Sequence, residues 1–236
     1  MDLETSKDKF IHTLSDYRID EIENIIKICS ALSIPKKILC VVIYNFYLAR
    51  SILWVEPDDI VLYTSIIDIS YKEMDGCKSQ EIILQKCLLH FLIDATDEEL
   101  ELYKEHICEF QLNFLYLTKC DLTPPNPYDE IEKIYNQHEI TKELQETTTT
   151  FLNDLAFFMP SVLYFTPYEC ACACIYLTFL LKQKDFNTFI KQNEEEKDTD
   201  KFFENTFDLN NETVLAVNFL SNELLVFYEK NCEYKK

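Results

Sequence analysis

The residues of this chain best suited to chemistry are its ten cysteines and four histidines, and their spacing speaks against both catalysis and metal binding. No CxxC pair occurs, although structural zinc sites commonly draw their thiolates from such pairs. The tightest group, Cys170, Cys172 and Cys174, alternates along the chain, which on a helix turns the middle side chain away from its neighbours. The histidines are scattered, and neither a GxSxG nor an HExxH string is present, so the arrangements that activate a serine or hold a catalytic zinc are lacking. Acidic pairs fall on helix surfaces, where solvation accounts for them. The expectation is a chain that is not an enzyme, with no cofactor and no metal, whose cysteines are small, buried, reduced thiols of the kind kept inside a cell. Thr147 to Thr150 offers a run of hydroxyls for phosphorylation, but reads more simply as a β-branched stretch of a packed helix.

One pair of opposite charges stands apart from this background. Lys72 ends an apolar helix, and Glu105 lies on a later one, on the side away from Tyr103 and Ile107. Two readings are open. A lysine at a helix C-terminus complements the dipole, an effect on the order of tenths of a kcal/mol that needs no partner. The same ammonium and carboxylate can also face another protein.

The element that must position Lys72 is the one around which the chain is organised. Ser51 to Lys72 returns as Ser161 to Lys182: Ser51 pairs with Ser161, Leu53 with Leu163, Pro57 with Pro167 and Lys72 with Lys182, each 110 residues apart. Between these identities Ile52 meets Val162, Trp54 meets Tyr164 and Val55 meets Phe165. That spacing implies two copies of one domain and not a solenoid, whose repeats run about 20 to 50 residues. Each copy reads as a short link followed by a buried helix. Thr166-Pro167-Tyr168-Glu169 is a capping box with proline where its missing N–H does no harm, and Glu56-Pro57-Asp58-Asp59 sets acids at the positive helix end.

Composition narrows the fold and the partners. A single glycine in 236 residues disfavours hairpin turns and phosphate-cradling loops, both of which want glycine, so an all-α fold is expected. With 42 acidic against 22 basic residues the formal charge is −20, and such a surface repels phosphate backbones; no direct nucleic acid is expected. No signal peptide, lipidation motif or charge-free apolar run of about 18 residues is seen, so a soluble chain with no membrane partner is expected.

Along the chain, Phe10, Leu14 and Tyr17, then Ile22, Ile25 and Cys29, form an amphipathic pattern with a break near Tyr17 to Ile19, giving an N-terminal helical extension over residues 1–30. Residues 31–120 hold a first bundle of four strong helices: one from Pro35, the central one, one over Ser79 to Asp94, and one opened by the capping box Thr96 to Glu99 with Leu100, Tyr103, Ile107, Phe110 and Phe114 inward. Asp121 to Pro127, with three prolines, cannot continue a helix and marks the domain boundary. A second bundle follows over residues 121–210, with helices from Tyr128, from Thr141 to Phe158 and from Pro167, and with Asn193 to Asp200 as an exposed loop. A C-terminal helix over residues 211–236 carries Val217, Leu220, Leu224 and Phe227.

Taken together, the tandem helical units, the Tyr71-Lys72 end of the buried helix, and Glu105 followed by Gln111-Leu112-Asn113-Phe114 resemble the cyclin box. Gln111 to Phe114, Asn126-Pro127-Tyr128, Phe151-Leu152-Asn153 and Leu163-Tyr164 ahead of Thr166-Pro167 are similar to the transcriptional branch of the cyclins, the cyclin H group most of all, with the cyclin C group of the Mediator kinase module the nearest rival. The resemblance implies two tandem cyclin boxes flanked by terminal helices. It implies a regulatory subunit that binds and activates a cyclin-dependent kinase, as the cyclin H group does in the CDK-activating kinase of TFIIH, which phosphorylates the RNA polymerase II tail. It implies the nucleus as location, and a RING-finger assembly factor and TFIIH as further partners. On the same footing Lys72 and Glu105 match the residues that grip the kinase, and Ile69, Phe114 and Tyr116 match apolar positions of that groove. Lys72→Glu is then expected to abolish kinase binding without moving the melting temperature. A TFIIB-like factor shares the duplicated fold, but a DNA-straddling core wants a basic face and a zinc ribbon, and this chain offers neither.

Overall fold

The computed structural model describes residues 19–53, 57–74, 76, 78–124, 126–138, 140–159, 163–181, 207 and 209–233. The sequence readings at Phe10, Leu14, Tyr17, Trp54, Ser161, Lys182 and Asn193 to Asp200 lie outside the described residues. Among the described residues every regular element is an α-helix. The chain divides into two compact units, residues 1–124 and 125–236, and the division falls within the proline-rich stretch.

The first unit contains α1 (Ile19–Ala31), α2 (Lys36–Ile52), α3 (Asp59–Glu73), α4 (Gln80–His90) and α5 (Asp97–Thr118). Helix α3 packs against α2, α4 and α5, and its residues from Ile60 to Ser70 are all buried. A helix enclosed on every side needs apolar or small residues all round, and the buried run IVLYTSIIDIS supplies them except at Asp68. Helix α1, read from the sequence as an extension ahead of the bundle, packs on α2 and α4 and buries Ile22, Ile25, Ile28 and Cys29. Tyr63 of α3 stacks between Phe46 at 6.1 Å and Phe91 at 5.5 Å; fully burying a side chain of this size contributes roughly 2 to 3 kcal/mol.

The second unit contains α6 (Pro127–Gln137), α7 (Lys142–Phe158), α8 (Pro167–Leu181) and α9 (Asn211–Glu233). Helix α8 occupies the place of α3, packed against α6, α7 and α9. Its alanines and cysteines let the neighbours come close: Ser221 of α9 donates to the Ala173 carbonyl at 3.2 Å. Both central helices span 15 residues, but they start 108 residues apart, whereas the sequence identities run at 110. The two prolines explain the difference. Pro57 precedes the N-cap Asp58, while Pro167 follows the N-cap Thr166 as the first helical residue.

Helix starts follow cap chemistry. Asp58 accepts from the Ile60 amide at 2.8 Å, Ser79 from the Ile82 amide, and Asn126 from the Tyr128 amide at 3.1 Å. At Thr96–Glu99 and Thr166–Glu169 both halves of the capping box form, which satisfies amide donors that no helix can serve internally. In the Thr147 to Thr150 run each hydroxyl donates to the carbonyl four residues back.

Helix ends show what a shortage of glycine does. The turns after α1, α4 and α5 each close with a hydrogen bond between residues five apart, Ile34 to Cys29, Ile93 to Leu88 and Cys120 to Leu115, all at 2.9 Å. This turn wants a left-handed residue, for which glycine is the unstrained choice, yet Ser33, Leu92 and Lys119 fill it with φ of 54°, 56° and 54°. Each is held against a steric penalty of about 1 kcal/mol. The single glycine, Gly76, sits instead where no side chain fits: a Cβ there would meet the Tyr71 ring at 2.3 Å and the Tyr71 carbonyl oxygen at 2.5 Å.

Cys29, Cys87, Cys170, Cys172 and Cys174 are buried. Burial pushes the thiols of Cys29 and Cys172 up to about 12 and that of Cys87 to about 11, and it raises Cys170 and Cys174 as well. Cys172 does face away from Cys170 and Cys174, but all three are enclosed because α8 has neighbours all round. Cys108 and Cys120 are exposed, contrary to the expectation of buried thiols. They sit on the outer side of α5 and just beyond its end.

Candidate functional site

Helices α3 and α5 run side by side in the same direction. Near their starts the Tyr103 hydroxyl is pushed up by burial and then by the Asp58 and Glu99 carboxylates, and ten residues further along α3 the Asp68 carboxylate meets Gln111 of α5. The last turn of α3 and the C-terminal half of α5 therefore share one face of the first unit.

The chemistry of that face begins below its surface. Asp68 is fully buried on α3, and a carboxylate in that position needs a cation and donors close by. Its Oδ2 accepts from the Lys72 ammonium at 2.7 Å, from Gln111 Nε2 at 2.9 Å and from Gln80 Nε2 at 3.4 Å. Gln80 Nε2 also approaches Gln111 Oε1 at 3.5 Å, so α3, α4 and α5 are joined through one oxygen atom. Asp68 Oδ1 is buried without a protein partner. The sequence carried a signal for this cluster: an acid four residues ahead of a lysine, on one face of an otherwise apolar helix.

The five residues singled out from the sequence fall into two groups. Lys72 is 58% exposed and Tyr116 83% exposed, and Glu105 is exposed on α5. Ile69 and Phe114 are buried; Phe114 stacks on Phe110 at 6.1 Å and lies on the inner side of α5. Lys72 takes Asp68 as its ion-pair partner. Glu105 stands six residues ahead of Gln111 on α5, about 9 Å along the helix.

The outer side of α5 has a pattern of its own. Leu102, Glu105, Glu109, Leu112 and Tyr116 recur at alternating intervals of three and four, and all are exposed. This is the spacing with which one helix presents a seam to another. Here it is apolar at both ends and acidic in the middle, and Leu112 is 70% exposed. Sequence reasoning found Glu105 and Tyr116 in this seam but passed over Leu102, Glu109 and Leu112, because the inward-facing residues of α5 dominate its hydrophobic pattern.

Among the described residues no group of three or more His, Cys, Asp or Glu side chains is placed to hold a metal ion, and no helix is long and apolar enough to cross a membrane. No protein-family model matches the sequence, and comparison with curated proteins finds no match.

Proposed function

We propose that the chain is a cyclin-type regulatory subunit, built of two tandem cyclin boxes, whose first unit docks on a cyclin-dependent kinase and holds it in its active arrangement. What supports this reading is an exposed Lys72 clasped beside Gln111 of α5 at the end of the enclosed helix α3, together with an exposed seam on α5 that contains Glu105. An ammonium and a carboxylate set apart along two parallel helices can grip separate polar groups of one partner helix, while Leu112 and Tyr116 give it apolar cover. A partner held this way has its conformational equilibrium shifted, because the cyclin binds one arrangement of the kinase better than the other. In a kinase the arrangement that matters sets a glutamate against the lysine that orients ATP. The interface would bury on the order of 2,000 Å². Ile69 and Phe114 then act from beneath, keeping α3 and α5 in register.

Within the cyclins, the strings around Gln111 to Phe114 and Asn126 to Tyr128 favour the cyclin H group. In that reading the chain is not itself an enzyme, works in the nucleus on transcription, and assembles with a RING-finger factor in TFIIH. The charge of −20 weighs against the TFIIB-like alternative, since a DNA-binding core needs a cationic face.

The test is affinity capture with the full chain followed by mass spectrometry, comparing wild type with Glu105→Lys and Tyr116→Asp. The expected result is recovery of a cyclin-dependent kinase by wild type, with each substitution reducing recovery at least about tenfold, the loss of a single well-placed contact, while the melting temperature stays put. Recovery of promoter-binding factors in place of a kinase, or kinase recovery indifferent to both substitutions, overturns the proposal.

A further inference from the structure

We infer that Asp68 is the positioning residue of the docking face: it fixes where the Lys72 ammonium stands before any partner arrives. The inference rests on the docking role proposed for Lys72. A lysine carries its charge on a flexible four-carbon stem, and an exposed one normally wanders. Lys72 is exposed, but the other member of its pair cannot move. Asp68 lies on a helix enclosed by α2, α4 and α5, is 0% exposed, and has its Oδ2 held by Gln111 from α5 and Gln80 from α4.

Lys27 is the contrast within the same unit. It is as exposed as Lys72, at 59%, and it too pairs with an acid four residues earlier, but that acid, Glu23, is itself 51% exposed and stands 3.2 Å away. An exposed pair of that kind holds neither partner firmly. A buried carboxylate has only its protein partners to offset its charge, so losing the ammonium costs it more than an exposed carboxylate would lose. A side chain ordered in advance loses less freedom when a partner binds. The carboxylate's other oxygen, Oδ1, has no protein partner, so all of its protein contacts converge on the oxygen that holds Lys72.

Acetic anhydride, used in limiting amount on the full chain, tests the positioning directly. An ammonium clasped by a buried carboxylate must leave that bond and give up a proton to solvent before its nitrogen can attack the anhydride and expel acetate, so Lys72 is expected to be acetylated several-fold more slowly than Lys27, with Asp68→Asn bringing the two rates together. Equal rates in the wild-type chain overturn the inference, and this arm needs no variant to fold. The consequence for docking is read by a double-mutant cycle with the cyclin-dependent kinase recovered in the capture experiment. Asp68→Asn and Lys72→Met are each expected to weaken binding about three- to tenfold, the scale of one side chain's ordering, and the double variant no further than either alone. Additive losses overturn the positioning role. Should wild type hold no such kinase, the docking proposal fails, and the acetylation ratio still decides whether Asp68 places Lys72.

Discussion

The two central helices, α3 and α8, answer one structural problem with different residues. Both are 15-residue helices walled in by their neighbours. Both spend a hydroxyl in the same place, three residues before the end: Ser70 accepts from Asn45 Nδ2 at 3.0 Å, and Thr178 meets Thr148 Oγ1 at 3.0 Å. Beyond that they diverge. Helix α8 fills its middle with alanine and cysteine, and among the described residues it carries only Glu169 as a charge. Helix α3 keeps a buried carboxylate and carries in its last turn the lysine that covers it. The four described non-glycine residues with positive φ, Ser33, Leu92, Lys119 and Cys120, also lie in the first unit. Enclosure alone is satisfied by α8 without a buried charge, whereas α3 meets it with a carboxylate that ties three helices together.

This contrast can be broken most forcefully at Lys72. Lys72→Glu sets a second carboxylate beside Asp68 Oδ2, and a buried charge stripped of its partner is strongly destabilising. Because the ammonium is largely exposed and two glutamine donors remain, the expected loss is about 2 kcal/mol, a fall of roughly 5 to 10 °C in Tm measured by circular dichroism. The sequence-based expectation of an unmoved melting temperature is revised accordingly, because it took no account of Asp68. An unchanged Tm would show that the two glutamines alone satisfy the carboxylate.

The shared hydroxyl gives a finer comparison. Ser70→Ala removes the acceptor from the buried Asn45 amide and is expected to lower stability by about 1 to 3 kcal/mol. Thr178→Val leaves Thr148 its bond to the Leu144 carbonyl at 2.8 Å and is expected to lose less than about 1 kcal/mol. Urea titration of the two variants measures the difference, and equal losses would show that the two helices are held alike.

The smallest effect expected is a gain. Leu92 is 88% exposed at a φ of 56°, so Leu92→Gly relieves the left-handed strain with little packing to lose. It is expected to stabilise the first unit by about 0.5 to 1 kcal/mol, seen as a higher urea midpoint with an unchanged slope. No gain would mean that Leu92 makes a contact that offsets its backbone.

Much of this architecture was legible in the residues because cap chemistry is local. Thr96 with Glu99 and Thr166 with Glu169 name their helix starts without reference to anything distant, and one glycine among so many helix formers excluded sheets. The repeat was legible too, but its structural register was not. Letter identity paired Pro57 with Pro167, while a proline is welcome both ahead of an N-cap and just after it, so the same residue marks two different steps of a helix start. The candidate face was half legible. Lys72, Glu105 and Tyr116 are exposed, as a docking role requires. Asp68 was not legible, because an acid within a helical pattern reads as solvated until its neighbours are known to enclose it. Phe114 was already legible as inward from its spacing with Ile107 and Phe110, and it and Ile69 are buried, so their match to an exposed groove came from the resemblance and not from the helical pattern.

Gly76 has a consequence for anyone who mutagenises this chain. The lone achiral residue lies just past the end of α3, pressed on the ring and carbonyl of Tyr71, and Lys78 sits over that same ring at 5.8 Å. In a saturation library most loop codons would tolerate replacement, whereas codon 76 would return only its original triplets, and every escape from it would displace the tyrosine next to the lysine that the face presents.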